Sequence, residues 1–513
     1  MIIKSLHYFI LLLLLFSCAP DNTKTETHSR KSDYTEKHRP QLHFSPETMW
    51  MNDPNGMVYY EGEYHLFYQY HPESTVWGPM HWGHAVSEDL VHWEHLPVAL
   101  YPDSLGLIFS GSAVVDWKNT SNFGSIDKPP LVAIFTHHLM EGEKAERDDF
   151  QYQSIAYSND KGRTWTKYES NPVIPNPGIK DFRDPKVIWY EASERWVMVI
   201  AARDRVKIYS SHNLKDWQFE SDFGMDYGMQ ALWECPDLFP IKVEETGEEK
   251  WVMIVSVQSN APNGGSGTQY FIGDFDGTTF TSDYPKEKVL WLDWGKDNYA
   301  GVTFSDVPED DGRRILIGWM SNWQYAQEVP TKKWRSAMTL PRTLELKNIN
   351  GGLKLCSSPV QELEKLRGEG VKIEIGEAIL ERSVDLVELE LAFNNEAEDY
   401  IAFVLANDIG ERVQFGYDAR VNSFFVDRKY AGDNTFSEDF ASATHYAERS
   451  QEDQKINFHI FIDHSSIELF ADDGEMVMTE TFFPDEKFDR LMIGTDAELV
   501  EGKMYELKSI WTE

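Results

Sequence analysis

A short pattern recurs four times along the first part of the chain, and it limits the fold more than any other feature. Each copy is an alternating apolar strand, a polar turn with Ser, Asp, Asn or Gly, and an aromatic residue that opens the next strand. The copies lie about 50 to 70 residues apart, at 82–93, 154–165, 206–217 and 270–280. A turn signal between two strands is what a β-hairpin requires. The pattern therefore predicts a series of similar antiparallel sheets.

The segment from about 45 to 340 consists of short β-like runs broken by Gly, Pro, Asn and Asp, without an amphipathic helix of useful length. Such a segment is typical of an all-β fold. Sheets that repeat at this interval favour a radial arrangement, and we predict a five-bladed β-propeller over residues 42–345. Hairpins of a sandwich are the alternative, but a sandwich would not repeat the aromatic position.

The pattern changes near Pro341. A charged stretch at 362–369 suggests a linker with helical character, and longer strands follow at 386–393, 400–406, 423–427 and 456–470. These strands alternate between apolar and polar residues, as strands with one solvated face do. We predict a β-sandwich domain over residues 355–513.

The charge balance limits the partners. Lys and Arg number 48 against 85 Asp and Glu, for a formal net charge of −37. A surface this acidic repels a phosphate backbone, so nucleic acid is excluded as a partner. A neutral polysaccharide carries no such penalty, and no cofactor is expected.

The N-terminus predicts export. Lys4 precedes a short apolar run at 10–16, which is too short to span a bilayer and is typical of a secretory signal. The letters LFSC, which end at Cys18, resemble a bacterial lipobox. We therefore expect residues 1–18 to be a lipoprotein-type signal with a lipid attached to Cys18, so that the membrane is a partner. Residues 19–40 have the polar composition of a flexible tether.

Three acidic residues stand out by their surroundings. Asp53 lies in WMNDPNG, Asp184 in FRDP, and Glu234 in WECPD. Each lies beside a proline or one residue from it, close to aromatic residues and at the start of a predicted strand. Because the three belong to different blades, their strands would converge on the central channel of the propeller.

These motifs resemble those of glycoside hydrolase family 32, whose signature elements WMNDPNG, FRDP and ECPD occur here intact and in order. FSGSA at 109–113 matches a fourth element, and GWM at 318–320 a fifth. The resemblance covers about residues 42–345, and the stretch 458–470 is similar to the family's accessory sandwich. Five elements in sequence make an accidental match improbable.

The resemblance implies a retaining hydrolase of fructosides. That chemistry needs a nucleophilic carboxylate and, about 5 Å away, a carboxylic acid that protonates the leaving oxygen. The family pattern assigns the nucleophile to Asp53, the acid/base to Glu234, and a transition-state stabiliser that binds fructose hydroxyls to Asp184. It also suggests sugar contacts from Asn52, Gln69, Trp77, Phe109, Ser110, Arg183 and Trp319. For Trp77 and Trp319, packing in the core is a competing interpretation.

Three other functions and a metal site are alternatives to this hypothesis. An arabinan-cleaving enzyme with five blades would invert configuration, and the NDPNG and ECPD contexts disfavour it. A non-catalytic binding protein would not need all three carboxylates, whereas a fructosyltransferase would keep them. Metal binding by His81, His84, His92 and His95 is disfavoured, because residues i and i+3 of a strand lie on opposite faces.

The substrate class follows from the resemblance. The segment 318–325, together with 334–336, is more similar to exo-acting levanases and inulinases than to invertases. We therefore expect an exo-acting fructan β-fructosidase, which removes terminal fructose from levan, inulin and sucrose.

Overall fold

The computed structural model describes residues 33–374, 380–396, 399–451 and 453–511, and these residues form two consecutive β-domains. The predicted signal at 1–18 with Cys18, and the tether up to residue 32, lie outside the described residues. No helix in the described ranges is long and apolar enough to cross a membrane.

The first domain is a propeller of five antiparallel sheets, as the repeat predicted. Blade I contains β1 (Met49–Tyr60), β2 (Glu63–His71), β3 (His81–Ser87) and β4 (Glu94–Leu100). Blade II contains β5 (Leu107–Val115), β6 (Leu131–His138), β7 (Gln151–Ser158) and β8 (Thr166–Lys167), with the helix α1 (Met140–Lys144) between β6 and β7. Blade III contains β9 (Phe182–Tyr190), β10 (Arg195–Ala202), β11 (Val206–Ser211) and β12 (Trp217–Phe223), with a 3-10 turn at Glu191–Ser193.

The last two blades follow in the same way. Blade IV contains β13 (Trp233–Lys242), β14 (Glu249–Val257), β15 (Gly267–Phe275), β16 (Phe280–Ser282) and β17 (Leu290–Trp291), of which the last pairs with β15. Blade V contains β18 (Tyr299–Thr303) and β19 (Arg314–Met320), the short β21 (Ala337–Met338), and then β22 (Arg342–Ile349) and β23 (Gly352–Pro359); the short β20 (Trp334–Arg335) lies between β19 and β21 in the chain. Strand β20 pairs in parallel with β1 of blade I, which helps to close the ring.

The recurring sequence pattern corresponds to the outer hairpin of blades I to IV. In the first three copies the tryptophan that ends the pattern donates its indole N–H to the carbonyl three residues earlier, at 3.1, 3.0 and 3.0 Å. The turn itself is closed by an Asp or Asn side chain that accepts backbone N–H groups, in the manner of an Asx turn. The aromatic residue recurs because it completes this turn.

The second domain is a sandwich of two six-stranded sheets. A 3-10 helix at Gln361–Leu366 leads into it, and its strands are β24 (Arg367–Lys372), β25 (Leu380–Ser383), β26 (Val387–Asn394), β27 (Tyr400–Ala406), β28 (Arg412–Asp418), β29 (Ser423–Tyr430), β30 (His445–Glu448), β31 (Lys455–Ile462), β32 (Ser466–Ala471), β33 (Met476–Thr481), β34 (Arg490–Thr495) and β35 (Glu498–Leu507). A 3-10 turn at Asp472–Gly474 joins β32 to β33. The sheets run in the orders β24-β35-β26-β31-β32-β33 and β25-β34-β27-β28-β29-β30, with an apolar core between them.

The boundary between the domains lies later than the sequence predicted. Strands β22 and β23 pair with each other and, through β22, with β19, so they are the outer hairpin of blade V. A propeller that stopped at residue 345 would lack this hairpin. The hairpin escaped detection because blade V lacks the aromatic residue that ends the pattern in blades I to IV.

The two domains share a buried polar interface. The fully buried guanidinium of Arg342 donates to Asp293 of the propeller at 2.9 Å and to Glu468 of the sandwich at 2.6 Å. His43 lies between Glu468 and Asp463, at 3.0 and 2.7 Å. Burial removes these charged groups from water, which costs free energy. Their pairing with one another offsets that cost.

Residues 33–40, the end of the predicted tether, belong instead to the folded body. The ring of Tyr34 stacks on Trp511 near the C-terminus, with centroids 3.8 Å apart. Arg39 is fully buried and donates to the carbonyl oxygens of Pro46 and Glu47, at 2.7 and 3.0 Å. The polar composition of these residues predicted flexibility. Contacts with residues distant in sequence, such as Trp511, hold them against the folded body instead.

Candidate active site

The five innermost strands of the propeller begin around one mouth of the central channel, and each carries a β-bulge near its start. The register shifts fall between Met51 and Pro54 in β1, between Ile108 and Gly111 in β5, between Arg183 and Lys186 in β9, between Glu234 and Asp237 in β13, and between Tyr299 and Val302 in β18. A bulge re-aims the side chains beside it. The bulges therefore turn the residues of the sequence motifs toward the channel.

Asp53 lies in the bulge of β1 and is buried. Its Oδ2 accepts a hydrogen bond from the Ser110 hydroxyl at 2.9 Å, and its Oδ1 accepts one from the Asn52 amide at 3.1 Å. The Asn52 amide is itself oriented by the Trp50 indole N–H, which donates to its oxygen at 2.7 Å. Blades I and II thus hold the Asp53 carboxylate between two donors.

Cys235 connects the three acidic residues. It follows Glu234 directly, its Sγ lies 3.6 Å from Oδ2 of Asp53, and its backbone N–H donates to Oδ2 of Asp184 at 3.1 Å. The backbone at Asp184 and Cys235 adopts positive φ values of 65° and 45°, which non-glycine residues rarely do. Strain of this kind persists where the surroundings impose it, and here the Cys235 Sγ lies 3.6 and 3.7 Å from the carboxyl oxygens of Asp53 and Asp184.

Glu234 is held by two donors from different blades. The Nε of Arg183 lies 2.9 Å from its Oε1, and the Tyr299 hydroxyl donates to its Oε2. Arg183 also bonds Asp181 at 2.8 Å and lies 4.0 Å from Asp184. The predicted Arg183–Asp184 pair is therefore looser than the Arg183–Glu234 pair, which the sequence did not indicate.

Burial dominates the electrostatics of the site. It raises the pKa of Asp53, and the charge of Glu234 raises it further, against the hydrogen bonds from Ser110 and Asn52. Burial likewise raises the pKa of Asp184, although Arg183 opposes the rise. Burial and the neighbouring carboxylates also raise the pKa of the Cys235 thiol, which stays protonated.

Arg183 and Tyr299, which both donate hydrogen bonds to Glu234, keep the protons that these bonds require. Burial lowers the pKa of Arg183, but the charges of Glu234 and Asp184 outweigh it and raise the pKa overall. Burial and the charge of Glu234 raise the pKa of Tyr299 well above its usual range. Arg183 is thus a permanent cation and Tyr299 a permanent hydroxyl donor.

The residues predicted to contact sugar differ in how deeply their side chains are buried. Gln69 lies on β2 opposite the bulge of β1, and its amide nitrogen is buried without a hydrogen-bond partner among the described residues. Trp77 and Phe109 are half-buried and pack edge to face with centroids 6.0 Å apart. Trp319 is fully buried and contacts Tyr299 and Trp323, so it packs in the core. Its predicted contact with sugar stays a prediction.

The sequence motifs did not indicate Tyr299 or a role for Cys235. A signal was present at Tyr299, because it opens the strand that should face the channel in blade V. For Cys235 the signal was the adjacent Pro236: proline cannot donate to a strand ladder and is confined to edges, strand starts and bulges. Pro54 and Pro185 mark the bulged turns at the other two acids in the same way.

None of the four histidines considered as metal ligands belongs to a cluster suited to a cation in the described ranges. One such cluster, Glu388 with Glu390 and His459, lies on the sandwich. Arg367 already donates to both glutamates there, at 2.6 Å each.

Comparison with known proteins assigns both domains to one family. The model for the N-terminal domain of glycosyl hydrolases family 32 matches residues 43–359, and the model for the C-terminal part of that family matches residues 362–506. The chain is 51% identical to a levanase of Bacillus subtilis (strain 168) over 494 residues, which cover 94% of this chain and 72% of that protein. It is 40% identical to an extracellular exo-inulinase of Aspergillus awamori over 519 residues, covering 93% and 96%.

Solved structures show the same architecture. The crystal structure of the Aspergillus awamori exo-inulinase superposes with a TM-score of 0.85 at 38% identity, covering 93% of this chain and all of that one. A β-fructofuranosidase of Schwanniomyces occidentalis in complex with fructosyl-erythritol gives a TM-score of 0.84 at 34% identity, covering 93% and 99%.

Proposed function

The chain belongs to glycosyl hydrolase family 32, and from that premise we propose that it is an exo-acting fructan β-fructosidase, which hydrolyses terminal β-fructofuranosyl residues of levan, inulin and sucrose. The observation that carries the proposal is the meeting of Asp53, Asp184 and Glu234 around Cys235 at one mouth of the channel. The relatives named levanase and exo-inulinase support fructans as substrates.

The roles of the carboxyl groups follow from their neighbours. Asp53 is the nucleophile, because the Ser110 and Asn52 donors stabilise its ionised form and hold it still. Glu234 is the acid/base that the family pattern assigns, and it is more exposed than Asp53, with 13% of its side chain accessible. It protonates the leaving oxygen when Asp53 attacks the anomeric carbon.

The second half of the reaction uses the same two groups. Once the fructosyl ester on Asp53 has formed, Glu234 is a carboxylate and accepts a proton from the attacking water. Water restores the free carboxylate and releases fructose with its configuration retained. Asp184 binds hydroxyls of the fructose ring, and Arg183 holds Glu234 in position throughout.

A product profile on sucrose, inulin and levan tests the proposal. We expect fructose as the sole early product of both polymers, measured by chromatography during the first few per cent of conversion. Asp53→Ala protein is the matched control for contaminating activity. Long oligosaccharides without free fructose would refute exo action, and transfer of fructose to sucrose in preference to water would favour a transferase.

We also propose that the chain is exported and anchored to the cell envelope through a lipid on Cys18. The apolar run and the LFSC motif support this, and the extracellular description of the Aspergillus relative supports export. Expressed in a bacterium that processes lipoproteins, the wild type should sediment with membranes, and Cys18→Ser should not. Recovery of both proteins in the same soluble fraction would contradict the anchor.

A further inference from the structure

A histidine behind the candidate active site contacts two of its parts at once. His138 ends β6 and is buried beneath Phe109, whose ring stacks on the imidazole with centroids 4.2 Å apart and planes 10° apart. We propose that His138 is a positioning residue, which fixes the ring wall of the sugar slot and, through Gln151, the arginine that holds Glu234. This inference rests on the proposed function, in which Glu234 is the acid/base.

The first contact is part of a chain of hydrogen bonds that runs from Glu143, whose side chain is half-exposed, to the acid/base Glu234. The Nε2 atom of His138 lies 3.0 Å from Oε2 of Glu143 on α1, and its Nδ1 lies 3.1 Å from Nε2 of Gln151 on β7. Oε1 of Gln151 lies 3.3 Å from an Arg183 nitrogen, and Arg183 reaches Glu234 at 2.9 Å. Every link is buried or partly buried, so the chain limits how Arg183 can move.

The direction of each bond follows from what each atom can donate. Oε1 of Gln151 accepts two N–H groups, from Arg183 at 3.3 Å and from the backbone of Phe182 at 2.8 Å. The amide nitrogen of Gln151 must therefore be the donor to Nδ1 of His138, which leaves the imidazole proton on Nε2 to donate to Glu143. Only the neutral imidazole with this tautomer fits all four groups, which are Glu143, the Gln151 amide, the Phe182 N–H and Arg183.

Protonation of His138 would break this arrangement. A second ring N–H would face the amide N–H₂ of Gln151, and turning the amide would set its N–H₂ group against Arg183 and Phe182. The groups that face the ring are Glu143 from α1, Gln151 from β7, Phe109 from β5, Phe150 before β7, and Asp181 and Arg183 at the start of β9. Burial and the charge of Arg183 lower the pKa of His138, and Glu143 opposes them.

The second contact supports the wall of the slot. Phe109 lies between the stacked ring of His138 and the edge-to-face ring of Trp77, at 4.2 and 6.0 Å. Phe109 directly precedes Ser110, which bonds Asp53. A displaced Phe109 ring would therefore alter both the apolar wall and the neighbour of the nucleophile.

Two substitutions separate the contacts. His138→Phe keeps a ring beneath Phe109 but cannot accept the bond from Gln151, so we expect kcat on sucrose to fall by about 10- to 100-fold, with KM nearly unchanged. His138→Gln can accept that bond but offers no ring, so we expect KM to rise by about 2- to 10-fold while kcat is largely kept. Glu143→Ala removes the exposed end of the chain and should lower kcat by less than His138→Phe does.

The controls make the outcome decisive. His137→Gln changes the neighbouring histidine of β6, which bonds Ser154 at 2.7 Å and contacts neither Phe109 nor Gln151, and it should keep both constants. Melting temperatures identify variants that lose activity through unfolding, in which case Glu143→Ala, altered at a half-exposed side chain, carries the test. An active wild type whose kcat survives His138→Phe or Glu143→Ala overturns the inference, and so does equal loss in His137→Gln. A wild type without fructosidase activity refutes the proposed function instead.

Discussion

The bond between Ser110 and Asp53 allows one prediction to be worked through in full. The Ser110 hydroxyl donates to Oδ2 of Asp53 at 2.9 Å, and both groups are buried. A donor stabilises the ionised form of a carboxyl group and so lowers its pKa. Ser110→Ala removes one of the donors that oppose the effects of burial and of Glu234 on this group. The pKa of Asp53 should therefore rise further.

The size of the effect follows from the type of bond. A hydrogen bond to a charged group contributes about 1.5–3 kcal/mol, and one pH unit corresponds to about 1.4 kcal/mol. If the nucleophile must be ionised in the free enzyme, the acid limb of the profile of kcat/KM against pH should move upward by about one to two units in Ser110→Ala. The pKa that defines this acid limb belongs to the interacting carboxyl groups together and not to Asp53 alone.

The assay is initial fructose release from sucrose across the acid range, with melting temperature as the check on folding. Ser112→Ala is the matched control, because Ser112 lies on the same strand and accepts a bond from the Val187 N–H at 3.0 Å without touching Asp53. Its acid limb should coincide with that of the wild type. A folded Ser110→Ala whose limb stays in place would refute the reasoning, whatever happens to KM.

Three further predictions concern the catalytic pair and the domain interface. Asp53→Ala and Glu234→Ala should each lower kcat by several orders of magnitude at unchanged melting temperature, because the retaining reaction needs both groups. Arg342→Met leaves Asp293 buried without its cation and Glu468 with His43 alone, and it should lower the free energy of unfolding by about 3–5 kcal/mol, measured in urea. Burial lowers the pKa of His43, but bonds to two buried carboxylates raise it to about 9 from 6.5. Its contribution to stability is therefore complete below pH 6.5 and is lost as the pH rises through about 9, so urea midpoints should fall over that window and His43→Gln should flatten the fall.

Each of these has an outcome that would contradict it. Near-full activity in Asp53→Asn would remove that residue from the role of nucleophile. Arg147→Met, which breaks the exposed pair with Asp149, is the control for Arg342→Met and should leave the urea midpoint unchanged. A midpoint independent of pH in the wild type would show that His43 carries no linked proton.

Much of the fold could be predicted because its signals are local. The Asx turns and the tryptophans that close them lie within 12-residue windows, so the hairpins of blades I to III could be recognised from the chain alone. The motifs around Asp53, Asp184 and Glu234 could also be recognised from the sequence, since each is a contiguous stretch that contains a proline. Blade V escaped recognition beyond residue 345 because its outer hairpin, β22 with β23, has an Asn side chain in the turn but no aromatic residue after it.

The sequence by itself determined the all-β class, the repeated blades and the three acids that the site contains. Only the tertiary structure decided that Arg183 holds Glu234 rather than Asp184, that Cys235 lies between the carboxyl groups, and that residues 33–40 pack against the end of the chain. The physical reason is the range of the interactions. Turns and strand patterns depend on neighbours along the chain, whereas bulges and buried charge pairs depend on which strands the closed ring brings together.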